Sequence, residues 1–340
     1  PHRRGRPRGS RVVTGVPGER IRPLVDAPLA AKGRFVLYWM TAHRRPRHNF
    51  ALDRAVELAE QTRRPLLVLE GLRADHAYAT ARSHAFVLAG MRHNRRAFRA
   101  ANIRYYPFVE SRSGDGKGLL AALAAHAVAV VADDTPSYFH PRMLRAAADV
   151  VRVRMEAVDA CGLLPMNATE KPWPTAYAFR RFLQRELPER LETKPQSRLR
   201  TQPTTVARVP QDVRRRWPEA SARLLAGDAA ALAALPLDHE VGALAIEGGQ
   251  GAARRRLLAF VEGRLRRYAD ERNQPEAEAT SGLSPHLHFG HLSTHEVLDA
   301  VAKQEGWSLD DLSPRADGRR AGWWGMSESA EAFLDQVITW

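Results

Sequence analysis

The sequence predicts an α/β domain built on a parallel sheet, followed by an all-α domain. Three observations support this. Short β-favouring apolar runs alternate with stretches of helical period through the first half of the chain, as in a parallel sheet with helices on both faces. Prolines then recur through a connecting stretch, and from residue 247 onward the period is helical. A chain of 340 residues is long enough for two such domains.

The α/β pattern can be followed element by element. Strands are predicted at 34–39, 65–69, 103–109, 127–132 and 150–155. Helices are predicted around 52–58, 84–100, 119–125 and 141–148. Because parallel sheets bind ligands at the carboxyl ends of their strands, the loops at 41–49 and 133–138 are candidate ligand loops. No glycine-rich dinucleotide fingerprint follows the first strand, which argues against an NAD site.

These patterns divide the chain into four predicted regions. Residues 1–30 form a basic, disordered arm, and 31–165 form the α/β domain. Residues 166–240 form an interdomain linker with only short helical pieces, such as 178–185, draped over both domains. Residues 241–340 form the first part of the helical domain, with helices expected at 295–304 and from 327 to the end.

Composition narrows the function. Lys and Arg outnumber Asp and Glu by 52 to 38, a net charge of +14, which favours nucleic acid as partner, although Arg-rich usage alone has the same effect. A single cysteine, Cys161, excludes a disulfide framework and a cysteine-based zinc cluster, and we expect it to be an inert thiol. No apolar run approaches the roughly 18 residues of a membrane span. We therefore expect an intracellular, cytoplasmic protein without metal.

Two basic or hydroxyl-rich segments have competing interpretations. Arginines are interleaved with apolar residues of helical period between 254 and 267, which is typical of a solvated helix face or of a phosphate-contacting one. Residues 280–284 place hydroxyls and a glycine before an apolar segment, so that main-chain N–H groups and hydroxyls could converge on a pyrophosphate. The same residues could instead form an ordinary helix cap followed by a turn.

The array TSGLSPHLHFG at 280–290 resembles the flavin-binding signature of photolyases and cryptochromes, and in this form the class II cyclobutane pyrimidine dimer photolyases in particular. Gly248 and Gly249 match the way that domain opens. The sequence VLYWM at 36–40, with NFAL at 49–52, is similar to the start of the class II antenna domain. The resemblance implies a Rossmann-like antenna domain and a helical FAD-binding domain, here incomplete at its C-terminus.

The resemblance also implies an activity: light-driven repair of cyclobutane pyrimidine dimers in DNA by electron transfer from reduced FAD. It implies that the diphosphate and ribityl part of FAD is held by Tyr268, Thr280, Ser281, Gly282, Leu283 and Ser284. An antenna chromophore such as a deazaflavin or a folate could occupy the α/β domain. The implied partner is DNA containing pyrimidine dimers, bound by a monomer without membrane association.

The last residues resemble the helix on which the family places a carboxylate and a tryptophan against the flipped dimer, so Gln336 and Trp340 are the implied catalytic residues. Their i, i+4 spacing puts both on one helix face. Gln336 stands where Glu is usual, so it carries no charge and cannot give up a proton. This departure keeps two alternatives open: a cryptochrome-like photoreceptor without repair, and a flavin-free DNA-binding fragment of a truncated protein.

Three tryptophans, Trp307, Trp323 and Trp324, lie in a segment that is longer than its counterpart in the family. They could relay electrons, because aromatic rings have accessible redox states. More often, such residues anchor an inserted loop.

Overall fold

In a computed structural model, which describes residues 15–74, 76–137, 139–201 and 205–339, the first half of the chain forms one six-stranded sheet. Its strands are β1 (Ile21–Val25), β2 (Phe35–Met40), β3 (Leu66–Leu72), β4 (Arg104–Val109), β5 (Ala127–Asp134) and β6 (Met155–Asp159). They are arranged in the order β1-β6-β5-β2-β3-β4, and β2 to β6 run parallel, whereas β1 pairs antiparallel with β6. The predicted fold class is confirmed, with an antiparallel edge strand added.

Four helices cover the sheet: α1 (Phe50–Thr62), α2 (Ala81–Ala100), α3 (Leu119–Ala124) and α4 (His140–Val150). With helices on both faces, the central strands have no solvated side, and all eight residues of β5 are buried. Helix α1 begins at Asn49, whose side chain accepts hydrogen bonds from the N–H groups of Ala51 and Leu52. The chain order reverses between β2 and β5, so the switch point of the sheet lies between their carboxyl ends.

One predicted strand was misplaced. The strand expected at 150–155 lies instead at Met155–Asp159, because α4 continues through Val150. The alternation of valine and arginine over 151–154 mimics a half-exposed strand. Strand β6 carries the charged residues Glu156 and Asp159, which are unusual in a buried strand and argued against a strand there. Both have partners: Glu156 accepts from Arg54 at 2.7 Å and Asp159 from Arg20 at 3.2 Å.

The predicted disordered arm, residues 1–30, is wrong for the part that the structure describes; residues 1–14 lie outside that part. Residues 18–20 form a short 3-10 turn, and β1 follows directly. Arg20 is only 3% exposed, and it donates to the Asp159 carboxylate and to the carbonyls of Gly162 and Leu163. The basic composition of this segment predicted that it is solvated. Composition alone does not show that an arginine has buried hydrogen-bond acceptors.

The stretch from 166 to 240 contains more helix than predicted: α5 (Ala176–Arg190), α6 (Gln211–Arg216), α7 (Ala222–Leu225) and α8 (Ala229–Ala233). Helix α5 packs into the helical core through Leu183 and Leu187. Val213 of α6 and the following Trp217 pack against the sheet instead. The stretch thus contacts both halves of the molecule.

The second half is helical, with α9 (Gln250–Gly263), α10 (Tyr268–Glu271), α11 (Ser284–His288), α12 (Thr294–Glu305) and α13 (Glu328–Ile338). The helices predicted at 295–304 and from 327 are α12 and α13. Within the described residues, no helix combines the length and apolarity needed to cross a membrane.

The two halves meet at the switch point of the sheet. Gly290, in a left-handed conformation with φ +70°, lies so close to the loop after β2 that a Cβ atom would collide with the Ala42 carbonyl. Arg45, fully buried, donates to the carbonyls of His48, Ala160 and Gly290. The final glycine of the 280–290 array is therefore needed for this close contact.

Candidate functional site

The turn at 280–284 leads into α11 without capping it. The residue preceding α11, Leu283, makes no side-chain cap hydrogen bond, so the helix-cap interpretation does not describe this turn. Gly282 has φ +62°, and Ser281 Oγ accepts from the Leu283 N–H at 3.3 Å. Leu283 is buried, whereas Thr280 and Ser284 are exposed. The turn presents its hydroxyls outward from a buried apolar anchor.

A cation lies directly on this turn. A Cβ atom at position 282 would collide with the guanidinium of Arg256, which α9 places against the glycine. The Nε atom of Arg256 is buried and has no hydrogen-bond partner among the described residues. Leaving a charged donor unpaired in this way is costly, and an anion bound at the turn would remove the cost.

Arg256 was missed as a site residue. In the sequence it is one of three consecutive arginines, 254–256, and periodicity does not distinguish it from its neighbours. Arg255, by comparison, forms a surface ion pair with Glu247 at 2.7 Å. Only the packing of α9 against the turn identifies which arginine faces it.

Tyr268, expected to contact FAD, lies at the start of α10 and is 8% exposed. Its ring packs edge-on against Phe260 of α9 and Phe333 of α13, with ring centroids 5.8 and 5.3 Å apart. Leu283 belongs to the same apolar core. Two of the six predicted flavin-binding residues, Tyr268 and Leu283, therefore share one core with α13, the helix that carries Gln336.

Gln336 lies exposed near the end of α13. Trp340 lies outside the described residues, so its pairing with Gln336 on one helix face stays a prediction. The preceding residue, Asp335, is 6% exposed and forms an ion pair with Arg180 of α5 at 2.7 Å. Asp335 was not singled out in the sequence, because its partner lies 155 positions away.

The three tryptophans between α12 and α13 form one contiguous cluster. Trp323 and Trp324 are buried, with ring centroids 4.8 Å apart, and Trp307 lies 5.7 Å from Trp324. The Trp307 indole N–H donates to the Trp324 carbonyl. This packing is typical of loop anchors.

His286, in the middle of the array, is 1% exposed and packs 5.1 Å from Phe86 of α2. Burial, together with the charge of Arg256, lowers the pKa of His286 to about 4. It is therefore neutral at pH 7. Its Nδ1 atom has no partner among the described residues.

The switch point of the sheet is a second polar cluster. Asp133, at the end of β5, accepts the Tyr38 hydroxyl at 2.6 Å and the N–H groups of Thr41, Ala42 and His43 at 2.7–2.8 Å. Burial by itself would raise the pKa of Asp133, but His43 and these hydrogen bonds hold it below its ordinary value. This carboxylate is a structural centre of the loop.

Two groups beside Asp133 remain without partners among the described residues, the Thr41 hydroxyl and both ring nitrogens of His140. Cys161 is nearby, with its sulfur 3.5 Å from the Asp134 carbonyl. Burial raises the pKa of the Cys161 thiol to about 12, so it stays protonated, as expected of an inert thiol.

Comparison with known proteins gives a consistent result. The chain is 28% identical over 281 residues to a deoxyribodipyrimidine photo-lyase of Methanothermobacter thermautotrophicus, an alignment that covers 81% of this chain and 58% of the relative. It is 32% identical over 323 residues to the rice (Oryza sativa subsp. japonica) deoxyribodipyrimidine photo-lyase, covering 89% of this chain and 56% of the relative. Cryptochromes are among the further matches. The chain is thus similar to photolyases and cryptochromes, and to the photolyases over most of its own length.

Among solved structures, a class III photolyase from Agrobacterium tumefaciens superposes with a TM-score of 0.59 at 20% identity, covering 79% of this chain and 53% of that one. That likeness bears on the fold alone. No family model matches the chain. The chain spans just over half the length of these photolyase/cryptochrome relatives, and its assignment to class II stays a prediction.

Proposed function

We propose that this protein acts in light-driven repair of cyclobutane pyrimidine dimers in DNA, with FAD as its cofactor and with the class II enzymes as its nearest functional type. One observation carries the proposal: the buried, unpartnered Nε of Arg256 lies against Gly282 in a turn rich in hydroxyls. A cationic donor that lacks an acceptor among the described residues, placed beside the exposed Thr280 and Ser284, is suited to a diphosphate.

The residues present fit the cofactor. Arg256, Thr280, Ser281 and Ser284 would hold the diphosphate, and the missing side chain of Gly282 lets the backbone approach it. When bound, reduced FAD supplies the electron that splits the dimer. The protein's own contribution would be to hold the cofactor, to exclude water through the core shared by Tyr268 and Leu283, and to orient the lesion.

On the DNA side, the net charge of +14 favours a polyanion, and a dimer that stacks poorly is easier to extrude toward a flavin than a normal base pair. Gln336 could both donate to and accept from a thymine edge. Being neutral, it would bind the lesion without the electrostatic help that a carboxylate at this position gives.

Cofactor binding can be tested with Gly282→Ala. The added methyl group meets the Arg256 guanidinium at a left-handed position, so we expect at least tenfold weaker FAD binding, measured by titration in the blue absorption band. Gly306→Ala after α12 is the matched control, because it has the same left-handed conformation, with φ +65°, and a Cβ there meets nothing within 4 Å. Equal FAD affinity of the two variants would contradict the proposal.

Repair is tested separately, with the FAD-loaded protein and an oligonucleotide that contains a dimer. We expect loss of the dimer under blue light and none in the dark. A protein that binds FAD and shows light-dependent flavin spectra, yet leaves the dimer intact, would indicate the cryptochrome-like receptor instead. If the neutral amide limits repair, Gln336→Glu should increase the rate at which the dimer is split under blue light.

We further propose that a second chromophore, a deazaflavin or a folate, binds at the switch point of the sheet. The Thr41 hydroxyl and the His140 ring nitrogens support this, since they are buried there without partners among the described residues. His140→Phe should remove any second absorption band while leaving the flavin band. A His140→Phe protein that retains both bands would argue against this site.

A further inference from the structure

The 313–326 loop, which joins the turn at Leu309–Asp311 to α13, is irregular but firmly held. Gln184 of α5, 5% exposed, accepts from the Gly318 N–H at 2.7 Å and donates to the Arg319 carbonyl at 2.9 Å. Glu331 of α13, 3% exposed, accepts from the N–H groups of Gly322 and Met326. Two buried side chains thus fix the backbone of a loop whose tip carries no regular structure.

The tip of this loop is cationic. Arg315, Arg319 and Arg320 are exposed, and Arg319 meets only a loose contact with Asp317, at 3.7 Å with its side chain 81% exposed. Two acidic residues near the loop form hydrogen bonds outside its tip. The Asp311 carboxylate accepts from Ser308, and the Glu305 carboxylate accepts from Ser327.

A narrow cleft separates this tip from the end of α13. Arg319 and Arg320 line it from the loop, and Asp335 and Thr339 line it from α13. Three arginines, Arg180, Arg319 and Arg320, and two carboxylates line the cleft. Asp335 is paired with Arg180 and Glu331 accepts from main-chain N–H groups, so the lining carries one net positive charge, which comes from the loop. On α13 the cleft is lined by the helix face that carries Asp335 and Thr339, and Gln336 does not line it.

An aromatic ring accompanies these arginines. Tyr177 of α5 is 54% exposed, and its ring lies against Gly318, where a Cβ atom would be 3.1 Å from the ring edge. Exposed arginines beside an exposed aromatic ring are the combination that binds unpaired nucleic acid strands, through phosphate contacts and base stacking. A protein partner would instead require a larger apolar surface.

We infer that the 313–326 loop and Tyr177 form a binding site for an unpaired stretch of the lesion-bearing DNA strand, with phosphates on the arginines and an unstacked base on the tyrosine. This inference rests on the proposed repair function. It assigns the tryptophan-anchored loop to substrate binding and makes Gln184 and Glu331 positioning residues.

The test compares two triple variants of the full chain that lose the same charge. Arg315→Gln/Arg319→Gln/Arg320→Gln alters the loop, and Arg142→Gln/Arg145→Gln/Arg152→Gln alters exposed arginines on and just after α4. Affinity for a dimer-containing oligonucleotide is measured from 50 to 200 mM salt. We expect the loop triple to reduce the slope of log affinity against log salt by about 2 to 3, since each lost phosphate contact removes about 0.9. The α4 triple should change it by less than about 0.5.

Tyr177→Ala should weaken binding of the same oligonucleotide in single-stranded form by about five- to 100-fold, and Tyr177→Phe should restore it, because the ring supplies the stacking. Equal slopes for the two triples, or equal affinities of Tyr177→Ala and wild type, would overturn the inference and leave the repair proposal standing. If the wild-type chain binds no DNA at any salt concentration, both fail.

Discussion

The switch point of the sheet and the turn at 280–284 each have a charged group beside a loop, but they differ in whether that group has hydrogen-bond partners. Asp133 receives four hydrogen bonds, three from the loop after β2 and one from Tyr38. Arg256 meets Gly282 with its Nε atom unpartnered among the described residues. A charge with a complete set of internal partners holds the fold together, whereas a charge without one is available to a ligand.

This contrast predicts opposite responses to mutation. Removing Asp133 should damage stability, because its donors have no other acceptor, whereas removing Arg256 should damage binding. The predictions below follow from the larger of these effects to the smaller.

The largest effect is expected from Asp133→Ala. The variant leaves a buried hydroxyl and three main-chain N–H groups without an acceptor, so the free energy of unfolding should fall by about 3–5 kcal/mol. Urea denaturation at pH 7 measures it. Asp133→Asn, which keeps an acceptor oxygen, should lose less. A loss below about 1 kcal/mol for Asp133→Ala would mean that the network is not a structural centre.

A smaller, pH-dependent effect is expected from His286→Phe. The folded pKa of about 4 lies below the unfolded value of about 6.5, so the unfolded chain binds the proton first. In the wild type, the free energy of unfolding should therefore fall as pH drops from 6.5 toward 4, by about 3 kcal/mol from this group. His286→Phe should remove this contribution, so that its free energy of unfolding falls less than that of the wild type over the same pH range.

The control for this prediction is His288→Phe, two positions further on the same short helix, where the side chain is exposed. Its pH profile of unfolding should follow the wild type. If His286→Phe and His288→Phe give the same slope between pH 6.5 and 4, then His286 is not held neutral by burial beside Arg256.

The smallest change in stability is expected from Arg256→Met. The substitution keeps the length of the stem and removes a buried donor that lacks a partner, so the free energy of unfolding should change by less than about 1 kcal/mol. Thermal and urea unfolding without FAD measure it. A loss of stability comparable to that of Asp133→Ala would show that Arg256 is a structural residue, so that the two sites would not differ in role.

Much of the fold could be predicted from the sequence because local patterns determine it. Hydrophobic period and flanking turn residues identify the apolar strands β2, β3 and β5 and the amphipathic helix α2. Strand β6 was misplaced and the edge strand β1 was missed. Glu156 and Asp159 of β6, and Arg20 just before β1, are buried because they pair with residues distant in the chain.

The site divides in the same way. The turn at 280–284 was found because its residues are consecutive and match a family array. Arg256 and Asp335 were missed because their roles arise from packing between helices, of α9 against the turn and of α13 against α5. A residue whose function depends on a contact across the fold leaves no periodic signal in the sequence.

The most direct test of the proposed diphosphate site at 280–284 compares the affinities of FAD and riboflavin, which share the flavin ring and ribityl chain, whereas riboflavin lacks both phosphates and the adenosine. Wild-type protein should bind FAD more tightly than riboflavin. Arg256→Met should reduce the riboflavin dissociation constant divided by that of FAD by about 10- to 100-fold, the range expected for a charge-assisted hydrogen bond. A ratio that is the same in wild type and Arg256→Met would contradict the assignment of this turn to the diphosphate.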